Sequence, residues 1–271
     1  MRTDMIEQRF YEQLCADVLS VFRSMSKNER FAITLGGSHG KGLSDRSSDF
    51  DFRVYYEQAV DGPQWDAAFA DLNRFIEKWK ALDVEIDGVW PRGIAEVDRQ
   101  LDEWLTGKAA PVPMFWNIWG YNMLTDICNQ AIVEDPCGIA QGWKDRLGIY
   151  PDALSDSIIS RHAFSLRYWR NDYHYRNKVV RKDRVFCASI TSRLMNDVMQ
   201  VLYALNRFYF PGDGMNLIFV KQFSVKLEGM ENRVAGILYP GGEPDGLERQ
   251  YQGMLRLIDD VLALPGMDKN R

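Results

Sequence analysis

The sequence predicts a mixed α/β (α+β) domain over residues 1–150 followed by a helical-bundle domain over residues 151–271. Three observations carry that prediction. Short runs of strand type, alternating or wholly apolar, fall in the first half; apolar residues at three- and four-residue spacing recur along the whole chain; and strand signals largely stop after Pro151. A length of 271 residues suits two ordinary domains, each with enough chain for its own core.

Taken in order, Ile6, Phe10, Leu14, Val18, Val21, Phe22 and Met25 make the stripe of an amphipathic helix. The apolar run Phe31 to Leu35 enters Gly36-Gly37, a strand meeting a tight turn, and a polar, glycine-rich stretch follows from Ser38 to Ser48. From Asp49 to Tyr56 the chain alternates, so Asp49, Asp51 and Arg53 share one face of a strand and Phe50, Phe52 and Val54 the other. Trp65, Phe69, Leu72, Phe75, Ile76 and Trp79 return at helical spacing. Leu82 to Val89 alternates again and reads as a strand, with Leu82, Val84 and Ile86 opposite Asp83, Glu85 and Asp87. Ala131 to Val133, before the turn sequence Glu134 to Gly138, reads as a further strand. From Leu154 onward helices dominate, among them Ser189 to Phe210 and Leu247 to Leu264.

Composition narrows the function classes. With 46% hydrophobic and 26% charged residues the chain is a globular one. The amino terminus, MRTDMIEQRF, has no apolar core of signal-peptide length, and no apolar run reaches the ~18 residues of a membrane span, so the expectation is a cytoplasmic protein without a membrane partner. Cys15, Cys128, Cys137 and Cys187 are scattered, form no CxxC pair, and read as buried thiols. Three histidines leave any metal to carboxylates, which favours Mg2+ or Mn2+. A net charge of -5 argues against a protein that coats nucleic acid, yet Arg161 to Arg184 holds eight Lys and Arg against two Asp. Such a strip suits a small polyanion such as a nucleoside triphosphate.

The chemistry is concentrated in GGSHGKGLSDRSSDFDF, Gly36 to Phe52. Gly36 and Gly37 let backbone approach phosphate oxygens, Ser38 offers a hydroxyl, and Asp49 and Asp51, two apart on a strand, can ligate a metal together. The arrangement suits a metal-bound triphosphate. Competing phosphate loops fit poorly: GGSHGKG lacks the gap and the Ser/Thr of a Walker loop, and no GxGxxG is present.

At these residues the chain resembles the polymerase-beta-like nucleotidyltransferases, whose signature is Gly-Gly-Ser or Gly-Ser, a variable loop, then Asp-x-Asp. The resemblance implies a third carboxylate from a neighbouring strand. DVEIDGVW, Asp83 to Trp90, is its natural supplier, with Asp87 the first choice and Glu85 the second, either of which can also serve as general base. ALNRFYFPGDG, Ala204 to Gly214, resembles the helical region of bacterial lincosamide and aminoglycoside adenylyltransferases. Where those enzymes often carry a lysine after Pro-Gly, this chain has Gly214, leaving Lys221, Lys226 or the basic strip to meet the phosphates.

The reaction implied is transfer of a nucleoside monophosphate, AMP from ATP, to a hydroxyl of a small-molecule acceptor, with release of pyrophosphate and a helical domain closing one wall of the cleft. Lys41 and His39 are loop candidates for phosphate contact, and Glu134 and Asp135 outer candidates near the cleft. Tyr168, Trp169, Tyr173, Tyr175, Trp116 and Trp119 read as interdomain core. The alternatives are a nucleotide-binding regulator or antitoxin-type partner without turnover, nucleotidylation of a protein or nucleic-acid acceptor, and an acidic scaffold with no nucleotide site.

Overall fold

Alternation in the first half becomes a sheet, and helical periodicity becomes the layers on it. The computed structural model describes residues 2–23, 30–45, 48–57, 63–109, 122–212, 216–241 and 245–267. Two compact units emerge: Met1–Asp102 with Met123–Ile149, and Glu103–Asn122 with Tyr150–Arg271.

The first unit contains α1 (Arg2–Arg23), β1 (Phe31–Leu35), the short helical turn α2 (Gly37–Gly40), β2 (Phe50–Tyr56), α3 (Pro63–Lys80) and β3 (Ile86–Gly93). It continues with α4 (Ile94–Leu105), α5 (Asn122–Asn129), β4 (Ala131–Glu134) and α6 (Ile139–Leu147), α4 and α5 reaching the junctions with the second unit. Among the described residues the strands form one sheet in the order β3-β2-β1-β4. β1 runs antiparallel to both β2 and β4, whereas β2 and β3 are parallel, which requires a crossover supplied by α3.

The period-2 pattern decides which face is buried. Ile33, Phe52 and Val54 are fully buried with Leu14, Val18 and Phe22 of α1, and α3 adds Trp65, Leu72 and Trp79 to the same cluster. Each such side chain contributes about 1.5–3 kcal/mol by leaving water. Asp17 ties the two covering helices together, accepting from Trp79 Nε1 at 3.0 Å and Lys78 Nζ at 2.7 Å. On the opposite face Tyr55 is buried against Trp143 of α6, ring centroids 4.8 Å apart.

One expected strand moves. Residues 82–85 alternate, but Leu82, Asp83 and Val84 complete the end of α3 instead of joining the sheet. Val84 N donates to Trp79 O at 3.1 Å and Asp83 N to Lys80 O at 3.0 Å, a Schellman closure with Asp83 at φ 62 in the position glycine usually takes. The hydrogen bonds of the helix end and the packing of Val84 against the core override the alternation, so β3 begins at Ile86. The cysteine reading is also corrected: Cys15 and Cys187 are buried, but Cys128 is half-buried and Cys137, in the polar turn before α6, is exposed.

The second unit contains α7 (Asp152–Asn171), α8 (Tyr173–Val180), α9 (Arg184–Leu205), α10 (Asn216–Val220), α11 (Met230–Leu238) and α12 (Gly246–Leu262), with no strand among its described residues. α9 packs on α7, and α12 on both, burying Leu166, Leu194, Val198, Met254, Leu257 and Ile258. A polar cluster sits between α7 and α9, where Asp197 meets His162 Nδ1 at 2.6 Å and accepts from Ser165 Oγ at 2.7 Å. α9 starts earlier than its apolar pattern indicates because Asp183 caps it, accepting from Phe186 N at 3.2 Å. It stops at Leu205, where Asn206 Nδ2 takes the Leu202 carbonyl at 2.8 Å and Arg207 turns to φ 56.

Candidate active site

The site lies where β1 turns over into α2 beside the start of β2. The β1–β2 ladder extends one bond beyond Leu35, with Gly36 N donating to Asp51 O at 2.8 Å, so the glycine turn is fixed directly beside Asp51. Gly37 must lack a side chain for two reasons: its φ is +58, and a Cβ there would fall 1.9 Å from Asp51 Oδ2.

Asp49 precedes β2 and Asp51 follows two residues later, on the same face. Asp87 joins them through an irregularity in the sheet. Phe50 pairs with Ile86 but Asp51 pairs with Gly88, so Asp87 is an extra residue on β3, a bulge of the kind that re-aims a side chain. Carboxylate oxygens of Asp49, Asp51 and Asp87 then lie within 4.8 Å of one another. Among the described residues Glu85 is not part of that group; it precedes β3, is exposed, and its carbonyl accepts from Phe50 N at 3.0 Å.

Electrostatics follow from this crowding. Burial pushes the Asp51 carboxyl above its ordinary range; Arg53 opposes the shift, and Asp49, Asp87 and Asp126 add to it. Behind Asp51, Arg53 reaches Asp51 Oδ1 at 3.5 Å and donates through Nε to Asp126 Oδ2 at 3.1 Å. Burial alone would raise the Asp126 carboxyl, but Arg53, then Arg92 and Gln130, hold it below the usual range. The sequence placed Arg53 on the face of the two aspartates and left its role open; Asp126, on α5, was missed. The signal available was an arginine on an inward face, which requires a countercharge.

In the glycine turn, Ser38 Oγ and His39 Nε2 are buried without a hydrogen-bond partner. His39 stacks on Phe50 with centroids 4.2 Å apart, and burial lowers its pKa while Asp49 pulls the other way. Lys41 follows as the residue capping α2, its amide donating to Gly37 O at 3.3 Å.

Residues 15–109 match the family model for a nucleotidyltransferase domain. The chain carries a nucleotidyltransferase domain. The match runs from within α1 to the end of the described stretch after α4 and takes in the glycine turn and all three clustered aspartates, supporting the polymerase-beta-like superfamily. A second family model, for a domain of unknown function (DUF4037), matches residues 116–213. No curated protein matches the chain.

Nucleotidyltransferase domains use a nucleoside triphosphate and divalent metal, and the residues present fit both. Three carboxylates are an oxygen-only donor set suited to a hard cation. The orphaned Ser38 Oγ is a donor awaiting an acceptor.

Other candidates stand elsewhere. Asp135 closes the N-terminus of α6, accepting from Ile139 N at 2.7 Å and Gln141 N at 2.9 Å, so it is a helix cap. Glu134 ends β4, half-buried. Lys221 belongs to the second unit, where its Nζ lies 2.9 Å from Glu231, and Lys226 Nζ donates to Lys221 O at 2.7 Å. Three cations of the basic strip are neutralised within their own unit, Arg170 by Asp259, Arg176 by Glu248 and Lys178 by Asp183, and His174 stands against Asp172. Tyr175 is core, edge-on to Tyr251, whereas Tyr168 and Tyr173 are exposed, which corrects the reading of both as core. Gly214, Trp116 and Trp119 lie outside the described residues.

No helix among the described residues is long and apolar enough to cross a membrane.

Proposed function

We propose that the protein is a metal-dependent nucleotidyltransferase that moves a nucleoside monophosphate, AMP from ATP, onto a hydroxyl of a small-molecule acceptor and releases pyrophosphate. The observation that carries this reading is the meeting of Asp49, Asp51 and Asp87 beside a glycine turn that leaves room for the Asp51 carboxylate. In this reading the three aspartates hold Mg2+ or Mn2+, which supplies charge neutralisation on the phosphates and activation of the attacking hydroxyl.

The chain's own residues do the rest. Ser38 Oγ, buried and unpartnered, donates to a phosphate oxygen, and Gly36 and Gly37 keep the turn free of side chains that would block the approach. Lys41, at the end of the turn, offers a cation to the phosphates. Asp87, the exposed member of the cluster, is placed to accept the proton of the acceptor hydroxyl; Glu85 does not share the cluster and is the weaker choice. A small acceptor, of aminoglycoside or lincosamide type, agrees with the net charge of -5 and with a basic strip in which Arg170, Arg176 and Lys178 already pair with the protein's own carboxylates.

Turnover tests the reading. Pyrophosphate release from ATP is followed against a panel of hydroxyl-bearing acceptors, with Mg2+ or EDTA, for the wild type and the Asp49→Asn/Asp51→Asn variant. Metal-dependent release by the wild type alone supports the assignment; release by the folded double variant at the wild-type rate overturns it.

A further inference from the structure

Arg53 is the one basic side chain whose ion pairs tie the carboxylate cluster to the body of the first unit among the described residues. It stands two residues beyond Asp51 on the same face of β2, and its side chain is only 12% exposed. A buried guanidinium is costly unless paired, and the pairing here is unequal. The short contact is Nε to Asp126 Oδ2 at 3.1 Å; Asp51 Oδ1 lies at 3.5 Å from Nη1, at the outer edge of hydrogen-bond distance.

Asp126 is fixed in turn. Gln130 Nε2 donates to its Oδ2 at 2.9 Å, and Gln130 Oε1 accepts from Thr34 Oγ1 at 2.7 Å and Tyr55 OH at 3.0 Å. The arginine is therefore anchored through α5, β1 and β2, and cannot follow Asp51 if that side chain swings. On the other side Gly37, by lacking a Cβ, leaves the space that Asp51 Oδ2 fills. Asp51 is thus held between a glycine and an anchored cation, close enough to be steered and too far to be captured as a tight bidentate pair.

From this we infer that Arg53, clamped by Asp126, is the positioning residue of the carboxylate cluster, holding Asp51 toward Asp49 and Asp87 so that the three can share a divalent cation. The inference rests on the metal-dependent reading given above. It runs against simple charge arithmetic: deleting a positive charge beside Asp51 removes a competitor of the metal and by itself tightens metal binding, whereas loss of positioning weakens it. Groups that orient metal ligands from behind typically change metal affinity by about 10–100-fold when removed.

The experiment is a titration with Mn2+ alone, free Mn2+ being read by electron paramagnetic resonance at a temperature where circular dichroism shows each variant folded. The wild type, Arg53→Met, Arg53→Lys and Asp49→Asn/Asp51→Asn are compared. Arg53→Met is expected to bind Mn2+ about tenfold or more weakly, and Arg53→Lys to recover part of the loss, while the double aspartate variant loses the site. If Arg53→Met does not fold, Arg53→Gln, which keeps hydrogen bonding without charge, takes its place. Mn2+ affinity unchanged or tightened in the folded Arg53 variant, with only its melting temperature lowered, makes the pair a purely structural brace and overturns the inference while leaving the metal site standing. A wild type whose Mn2+ binding matches that of the double aspartate variant overturns both.

Discussion

Gly37→Ala places a single methyl group at the centre of the proposed site, and the consequences can be worked out from the backbone. Gly37 has φ +58, a conformation that costs a residue with a Cβ about 1–2 kcal/mol. The new Cβ would also stand 1.9 Å from Asp51 Oδ2 and 2.8 Å from its Cγ. Non-bonded carbon contacts settle near 3.5 Å, so Asp51 must retreat by roughly 1.5 Å, out of register with Asp49 and Asp87. A misplacement of ~1 Å at a reacting centre can cost about 100-fold. Gly42→Ala is the matched control, because Gly42 has φ +65 but open space where its Cβ would go. Both variants should melt roughly 2–8 °C below the wild type, at about 2–4 °C per kcal/mol for a chain of this size. Only Gly37→Ala should lose metal-dependent nucleotide binding, by tenfold or more, in calorimetry below the transition. Equal nucleotide affinities for Gly37→Ala and Gly42→Ala would refute the argument that Gly37 exists to make room for Asp51.

The other predictions concern charge. The folded-state carboxyl of Asp51 is raised above its ordinary value, so its ionisation weakens the metal-free fold: the penalty is absent below the unfolded pKa, near 3.8, grows as pH rises from there, and is complete above the folded value. Asp51→Asn in EDTA should therefore melt higher than the wild type at pH 7 and lose that advantage toward pH 3, as thermal unfolding across pH would register. Saturating Mg2+ should stabilise the wild type, by ~2.7 kcal/mol at a hundredfold excess over the dissociation constant, and leave the Asp49→Asn/Asp51→Asn variant unmoved in the same melting assay. Asp126→Leu leaves a buried Arg53 with its long contact to Asp51 as its remaining ion pair beside a bond to the Phe52 carbonyl, and chemical denaturation should report a loss of ~3–5 kcal/mol.

Local signals in the sequence carry the faces of β2 and the glycine turn. The alternation from Asp49 to Tyr56 assigns the faces of β2, because Phe52 and Val54 can only be buried if Asp51 and Arg53 point the other way. The Gly-Gly-Ser turn and the Asp-x-Asp spacing lie within one hairpin, which sets their proximity. Residues 82–85 misled because alternation there coincides with a helix end, whose hydrogen bonds are invisible to periodicity. The distinction between Asp87 and Glu85 turns on a bulge between strands, a property of pairing that no single strand contains. Asp126 lies 73 residues from Arg53, and Asp259 lies 89 residues from Arg170, so both ion pairs depend on tertiary contacts. That is why, in a strip that reads as an anion-binding surface, Arg170, Arg176 and Lys178 are found paired with carboxylates of their own protein.

The central claim is that Asp49, Asp51 and Asp87 bind a metal-bound nucleoside triphosphate. Calorimetry with a non-hydrolysable ATP analogue, with and without Mg2+, on the wild type and on Asp49→Asn/Asp51→Asn addresses it directly. Magnesium-dependent binding by the wild type that disappears in the folded double variant is the result predicted; no binding by the wild type to this or any other triphosphate, or equal binding by both proteins, would contradict it.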